Sequence, residues 1–260
     1  MLYHTIYKQD DTNDWVTFIH GAGGSSSIWY KQLREFKKKF NVLLIDLRGH
    51  GKSKLPLYKQ IKNYTFEIIG DEVMDVLDHN NIESTHFVGI SLGTIVARDL
   101  TERYPSRTKS LVLGGAIMKL NIKSQIMLKS ALVLKSVIPY LILYRILAFV
   151  IMPKKNHKES RNLFINEAKK LYQKEFIRWF ALASQVNPLL RFFRIKNSNI
   201  PTMYIMGSED HMFLPSITKL VKDHKNAILK VIPECGHVVN IEQPIIFNKN
   251  AIQFLQSNHS

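Results

Sequence analysis

Cysteine occurs once in the 260 residues, at Cys235, which rules out an internal disulfide. There is no HExxH and no pair of cysteines, so no zinc site and no metal is expected. Phosphate cradles are missing as well. No GxGxxG is present, and Gly51, Lys52 and Ser53 lack the glycine four residues upstream that such a loop requires, so no cofactor is expected. The first residues, MLYHTIYKQDD, hold no apolar segment of the signal-peptide kind, and a cytoplasmic protein is expected. Long uncharged runs are scarce. The most apolar stretch, Ile126 to Met152, is interrupted by Lys129, Lys135 and Arg145 and split by Pro139. Its longest uncharged run, Ser136 to Tyr144, is 9 residues, about half of what a membrane span needs.

Acidic residues are scarce in one place only. Residues 118–197 contain 16 basic and 3 acidic residues, a net of +13, whereas the other 180 carry 20 and 18, a net of +2. No nucleic-acid recognition motif or stacking array accompanies this charge, so a nucleic-acid partner is not expected. Two readings of the basic segment stay open. It is either a helical cap with an apolar inner face and a solvated outer one, or a peripheral contact for an anionic membrane surface or anionic acyl substrate. Runs such as RWF and LLRFFR fit the second reading.

What is present is a hydrophobic content of 45%, enough for one large core. Short apolar runs at 16–20, 42–46, 86–90, 110–115, 202–206 and 228–232 read as buried strands, because they are rich in Val, Ile and Leu and do not alternate. Helical stretches lie between them. The alternation predicts an α/β fold with a doubly wound, mostly parallel sheet. It stops for about 80 residues between SLVLGG and TMYIM, where helical patterning is divided by Pro139, Pro153 and Pro188.

Four motifs fall at strand ends. GISLG, Gly89 to Gly93, joins the run THFVGI to the helical LGTIVARDL, the setting that a GxSxG nucleophile elbow requires. Side chains at Gly89 and Gly93 would clash with neighbouring main chain, while the N–H of Leu92 faces the place where an oxyanion would form. After TMYIM comes GSED, Gly207 to Asp210, and after AILKVI comes PECGH, ending at His237. The order Ser, Asp, His is the one this arrangement uses. Upstream, VTFIH runs into HGAGG, His20 to Gly24, a turn suited to offering a second oxyanion donor from the N–H of Ala22 beside Gly21. Glu209 competes with Asp210 as the acid, and adjacency alone leaves that open. His211 reads as a loop residue. Cys235 lacks an elbow and reads as packing, and His20, Asp46, Arg48 and His50 read as loop braces.

Over nearly its whole length the chain resembles the α/β-hydrolase superfamily, in particular its single-domain, lidded, serine esterase-like members. DLRGHGKS, Asp46 to Ser53, looks like the loop after that family's fourth strand. The resemblance implies Ser91 as nucleophile, His237 as base, Asp210 as its orienting acid, and Ala22 with Leu92 as oxyanion donors. It also implies a core of 1–116 and 198–260, with a lid at 117–197 inserted after the sixth strand. A short N-terminus predicts that an initial strand is missing. The implied activity is hydrolysis of small to medium acyl esters, monoacylglycerols or lysolipids included. A C–C hydrolase or lyase on the same scaffold, and a non-catalytic ligand-binding module, are the alternatives.

Overall fold

The computed structural model describes residues 1–10, 13–54, 64–120, 125–126, 130, 133 and 138–258. Of the apolar stretch Ile126 to Met152, Lys129, Lys135 and the run before Ile138 lie mostly outside the described residues.

Seven strands form one sheet: β1 (His4–Tyr7), β2 (Trp15–Ile19), β3 (Asn41–Ile45), β4 (Thr85–Ile90), β5 (Thr108–Gly114), β6 (Thr202–Gly207) and β7 (Ala227–Ile232). Their order is β1-β3-β2-β4-β5-β6-β7, parallel throughout except for β1 against β3. Within each central strand the side chains alternate between two cores. Leu43, Ile45, Phe87, Leu111 and Leu113 face the core shared with α2 (Phe66–His79) and α3 (Leu92–Arg103). Val42, Leu44, Val88, Ile90 and Val112 face the one shared with α1 (Tyr30–Phe36) and α10 (Pro244–Gln256). With both faces covered, every residue of β3 and β4 is buried, which is why these strands read as unbroken apolar runs.

One strand precedes Trp15: HTIY pairs antiparallel with β3 as a half-exposed edge, and it carries too little apolar signal to be read as a buried strand. Asp46, expected after a fourth strand, follows the third along this chain, and the helical insertion, expected after the sixth strand, leaves after the fifth, the same shift by one that a missing initial strand produces. One expectation needs correction: 228–232 is not a buried strand, because β7 ends the sheet among the described residues and leaves Ile228, Lys230 and Val231 exposed.

The insertion contributes α4 (Tyr140–Ile151), α5 (Lys158–Ala168), α6 (Gln173–Ser184) and α7 (Asn187–Ile195). Pro139 precedes α4, Pro153 follows it and Pro188 lies in the first turn of α7, positions where a missing N–H costs nothing. The chain then returns to β6 and continues through α8 (Leu214–Asp223) and the short α9 (Val239–Glu242). No helix of the described residues is long and apolar enough to cross a membrane.

Strand order reverses at β2: the chain goes from β2 to β3 on one side and then to β4 on the other. The carboxyl ends of β2 and β4 therefore open side by side, the place where such sheets hold their ligands. The pairing Ile19↔Gly89 sets the turn at 20–24 next to Ser91.

Candidate active site

Ser91 stands between β4 and α3 with φ 54° and ψ −123°, a backbone state that costs a non-glycine residue on the order of 1–3 kcal/mol. Its surroundings hold it there. The Ser91 N–H donates to the carbonyl of Gly114 at 3.0 Å, and its own carbonyl accepts from the Thr94 N–H at 2.9 Å and the Thr94 hydroxyl at 2.6 Å. A Cβ on Gly89 would lie 2.8 Å from the Gly93 carbonyl oxygen, and one on Gly93 would be driven into that of Ile19. Neither obstacle can rotate away, since both are main chain. Gly21 packs from the other side, where a Cβ would come within 3.0 Å of Ser91 Cβ.

His237 Nε2 lies 2.9 Å from Ser91 Oγ, and His237 Nδ1 lies 2.8 Å from Asp210 Oδ2. Asp210 is fully buried, and its second oxygen accepts the Phe213 N–H at 3.2 Å, which leaves Oδ2 aimed at the imidazole. A proton on Nδ1 toward the carboxylate leaves Nε2 as an acceptor for the serine hydroxyl. His237 follows the edge strand β7 yet must reach β4 across two strands. Glycines clear that path: side chains at Gly207 and Gly115 would run into the carbonyls of Cys235, Gly236 and His237.

Glu209 faces the other way. It accepts from Lys154 Nζ at 2.7 Å and Asn156 Nδ2 at 2.8 Å and lies 2.7 Å from His157 Nε2, all on the α4–α5 connection. The Lys154 hydrogen bond, followed by that of Asn156, holds its carboxyl down at about 2. Asp210, not Glu209, is thus the carboxylate beside His237. Cys235 is buried, and burial pushes its thiol well above the usual range, with Glu242 and Glu209 adding to it. That environment disfavours a thiolate, and it is Ser91 that lies beside His237 Nε2.

The turn at 20–24 is braced by two neutral histidines. His20 accepts the Leu47 N–H at Nε2 (2.9 Å) and donates from Nδ1 to the Gly21 carbonyl (2.8 Å). His50 accepts the Gly23 N–H at Nε2 (2.8 Å) and donates to the Arg48 carbonyl (3.0 Å). Burial lowers the pKa of both, that of His50 strongly and with help from His20. Asp46 anchors the start of the next loop by accepting from the N–H groups of Ser26 and Lys52 at 2.7 and 2.8 Å. At the start of α3, the Leu92 N–H has no intrahelical acceptor, so it is available above the sheet.

Two cavities meet at Ser91. The larger encloses about 860 Å³, its open mouth included, and runs under the insertion past Ile95, Leu147, Phe164, Phe176, Trp179 and Phe213. No lysine, arginine or carboxylate lines it among the described residues. The smaller, about 420 Å³ with its mouth, lies on the His237 side between Ile28, Leu163 and Val238, with Ser160 and Glu167 at its wall. No group of three or more His, Cys, Asp or Glu that could hold a metal ion occurs among the described residues. Sequence reasoning missed Tyr144, whose hydroxyl donates to the Ala22 carbonyl at 2.8 Å, and His157; neither lies in a motif, and only their packing in the folded chain places them at the site.

Comparison with known proteins agrees with this architecture. The family described as the alpha/beta hydrolase fold matches residues 14–133. The putative carbamate hydrolase RutD of Acinetobacter baylyi is 26% identical over 99% of this chain and 99% of its own length. 3-oxoadipate enol-lactonase 1 of the same organism is 32% identical over 40% of this chain and 38% of its own. The crystal structure of the enol-lactonase from Burkholderia xenovorans superposes with a TM-score of 0.80 at 20% identity, covering 98% of this chain and 96% of that one, a likeness of fold.

Proposed function

Because this chain belongs to the α/β-hydrolase superfamily, a hydrolase of the ester-cleaving type, we propose that it cleaves carboxylic esters through an acyl-enzyme on Ser91. The observation that carries the reading is the unbroken relay from Ser91 Oγ to His237 to buried Asp210, at 2.9 and 2.8 Å. In this reading His237 Nε2 takes the hydroxyl proton as Oγ attacks the acyl carbon, and the negative oxygen is met by the N–H groups of Ala22 and Leu92. Asp210 steadies the imidazolium without accepting its proton. His237 then returns the proton to the departing alcohol, and water repeats the attack to free the acid.

The cavities suggest the substrate class. A neutral, apolar acyl chain fits the larger one, since a carboxylate there would find no cation among the described residues. The alcohol lies on the His237 side, in the smaller space. Helices of 117–197 act as the lid over a core of 1–116 and 198–260. The outer face of α4 exposes Ile142, Ile146 and Phe149 beside Arg145, near the exposed Lys154 and Lys155, which supports peripheral contact with an anionic lipid surface and substrates such as monoacylglycerols or lysolipids. Sedimentation with anionic vesicles at low salt checks the contact, and absence of binding removes it.

Turnover of p-nitrophenyl esters of increasing chain length tests the substrate class. Activity should rise from acetate to a medium chain, then fall as the chain outgrows the cavity, and ω-carboxylated acyl esters should react poorly. Equal or better turnover of the charged acyl series would contradict it.

A further inference from the structure

The insertion reaches into the loop that would stabilise the oxyanion. Ala22 lies between two peptide groups, and both are gripped. The Gly21 carbonyl, which shares its peptide with the Ala22 N–H, accepts from His20 Nδ1 at 2.8 Å and from the Gly24 N–H at 3.1 Å. The next peptide is held at both ends: Gly23 N–H donates to His50 Nε2 at 2.8 Å, while the Ala22 carbonyl accepts from the Tyr144 hydroxyl at 2.8 Å. His20, Gly24 and His50 belong to the core. Tyr144 belongs to α4.

Tyr144 is built to hold that bond. It is 2% exposed, its ring stacks on Phe164 with centroids 4.4 Å apart, and it meets Phe176 edge-on at 5.8 Å. Gly23 sits at φ 74°, and any Cβ there would collide with the hydroxyl, so the close approach depends on that glycine. Burial also raises the tyrosine pKa well above its ordinary value, keeping the hydroxyl a donor.

We propose that Tyr144 is a positioning residue for the oxyanion hole: from the lid it fixes the peptide after Ala22, so that the Ala22 N–H is aligned when α4 is docked on the core. This rests on the reading of Ser91 as an acyl-transfer nucleophile. A donor stabilises a developing oxyanion only if its direction is set before the reaction, and a buried carbonyl that loses its partner turns to seek another. The lid then does more than cover the cavity, because its docking completes the catalytic geometry.

Tyr144→Phe keeps the ring and removes the hydroxyl. With a neutral medium-chain ester, kcat should fall about 10-fold, less than the loss of a whole oxyanion donor, while KM stays within about twofold. Inhibition by a trifluoromethyl ketone, whose adduct with the serine carries the oxyanion, should weaken by the same factor. Gly23→Ala displaces the same hydroxyl and should give the same split, and the double variant should lose little more than the larger single loss. A folded Tyr144→Phe enzyme with wild-type kcat, or a loss confined to KM with unchanged ketone inhibition, overturns the proposal. A wild-type protein that hydrolyses no ester would fail the catalytic reading instead, before Tyr144 is in question.

Discussion

The sheet and the helical insertion above it are held by different means. In the sheet, positions are dictated by main chain: Gly93 lies against the carbonyls of Ile19 and His20, and Gly89 against the turn that follows Ser91. The insertion carries a net charge of +13, exposes Ile146 and Phe149 by about half, buries Trp179, Leu182, Leu190 and Phe193 in the core shared with α2 and α3, and adds individual side-chain hydrogen bonds to this packing. Four of its attachments reach the loops at the carboxyl end of the sheet. Tyr144 holds the Ala22 carbonyl, Trp179 donates to the Arg48 carbonyl at 2.9 Å, Glu167 accepts from Ser25 Oγ at 2.9 Å, and the α4–α5 connection clasps Glu209 beside Asp210. The difference shows that the core tolerates no change of shape at the elbow, whereas the insertion, packed on the core by α6 and α7, reaches the loops that carry the reacting groups through single hydrogen bonds.

The comparison breaks most sharply at the elbow. Gly93→Ala puts a Cβ into main chain that cannot move aside, and should cost about 3 kcal/mol, lowering Tm by roughly 6–12 °C together with esterase activity. Thermal denaturation checks it, and a wild-type Tm would mean that the elbow is looser than described.

How much was legible beforehand follows from the same contrast. Ser91, Asp210, His237 and the glycine turns stand in short motifs because strained backbone at a strand end admits few residue types, and the parallel strands showed as apolar runs because both faces are covered. The edges were harder: HTIY faces solvent on part of its length and shows no apolar run, while ILKVI shows one although β7 is an exposed edge, so burial could not be read from its pattern. The insertion gave only helical patterning and charge. Tyr144 and His157 owe their places to docking over long separations in sequence, and at either position many sequences would look alike before folding.

A second test concerns the braces under the oxyanion turn. His20 and His50 are neutral in the folded chain, with pKa values below the ordinary 6.5, so on acidification the unfolded chain takes up protons first. Stability should be full above about pH 6.5 and decline as the pH falls below it, by at most about 1.4 kcal/mol per pH unit for each histidine. Urea unfolding across pH 7 to 5 measures this, and His50→Gln should flatten the slope. An unchanged slope would show that the Gly23 N–H is not held as described.

The smallest expected effect sharpens the attachment of the insertion. Glu209→Gln removes the charge clasped by Lys154, Asn156 and His157 without touching Asp210, and should lower Tm by about 2–4 °C while leaving the pH optimum of ester hydrolysis in place. In the parent, this contribution is lost as the pH falls from the ordinary carboxylate range toward about 2, the value to which these partners hold the group.

The central claim is that Ser91, activated by His237, forms the acyl-enzyme. Labelling with a fluorophosphonate probe followed by peptide mapping tests it most directly. The account predicts a single adduct on Ser91, absent in Ser91→Ala and at least about 10³-fold slower in His237→Ala. A folded protein that takes up no label, or takes it up elsewhere than Ser91, would contradict it.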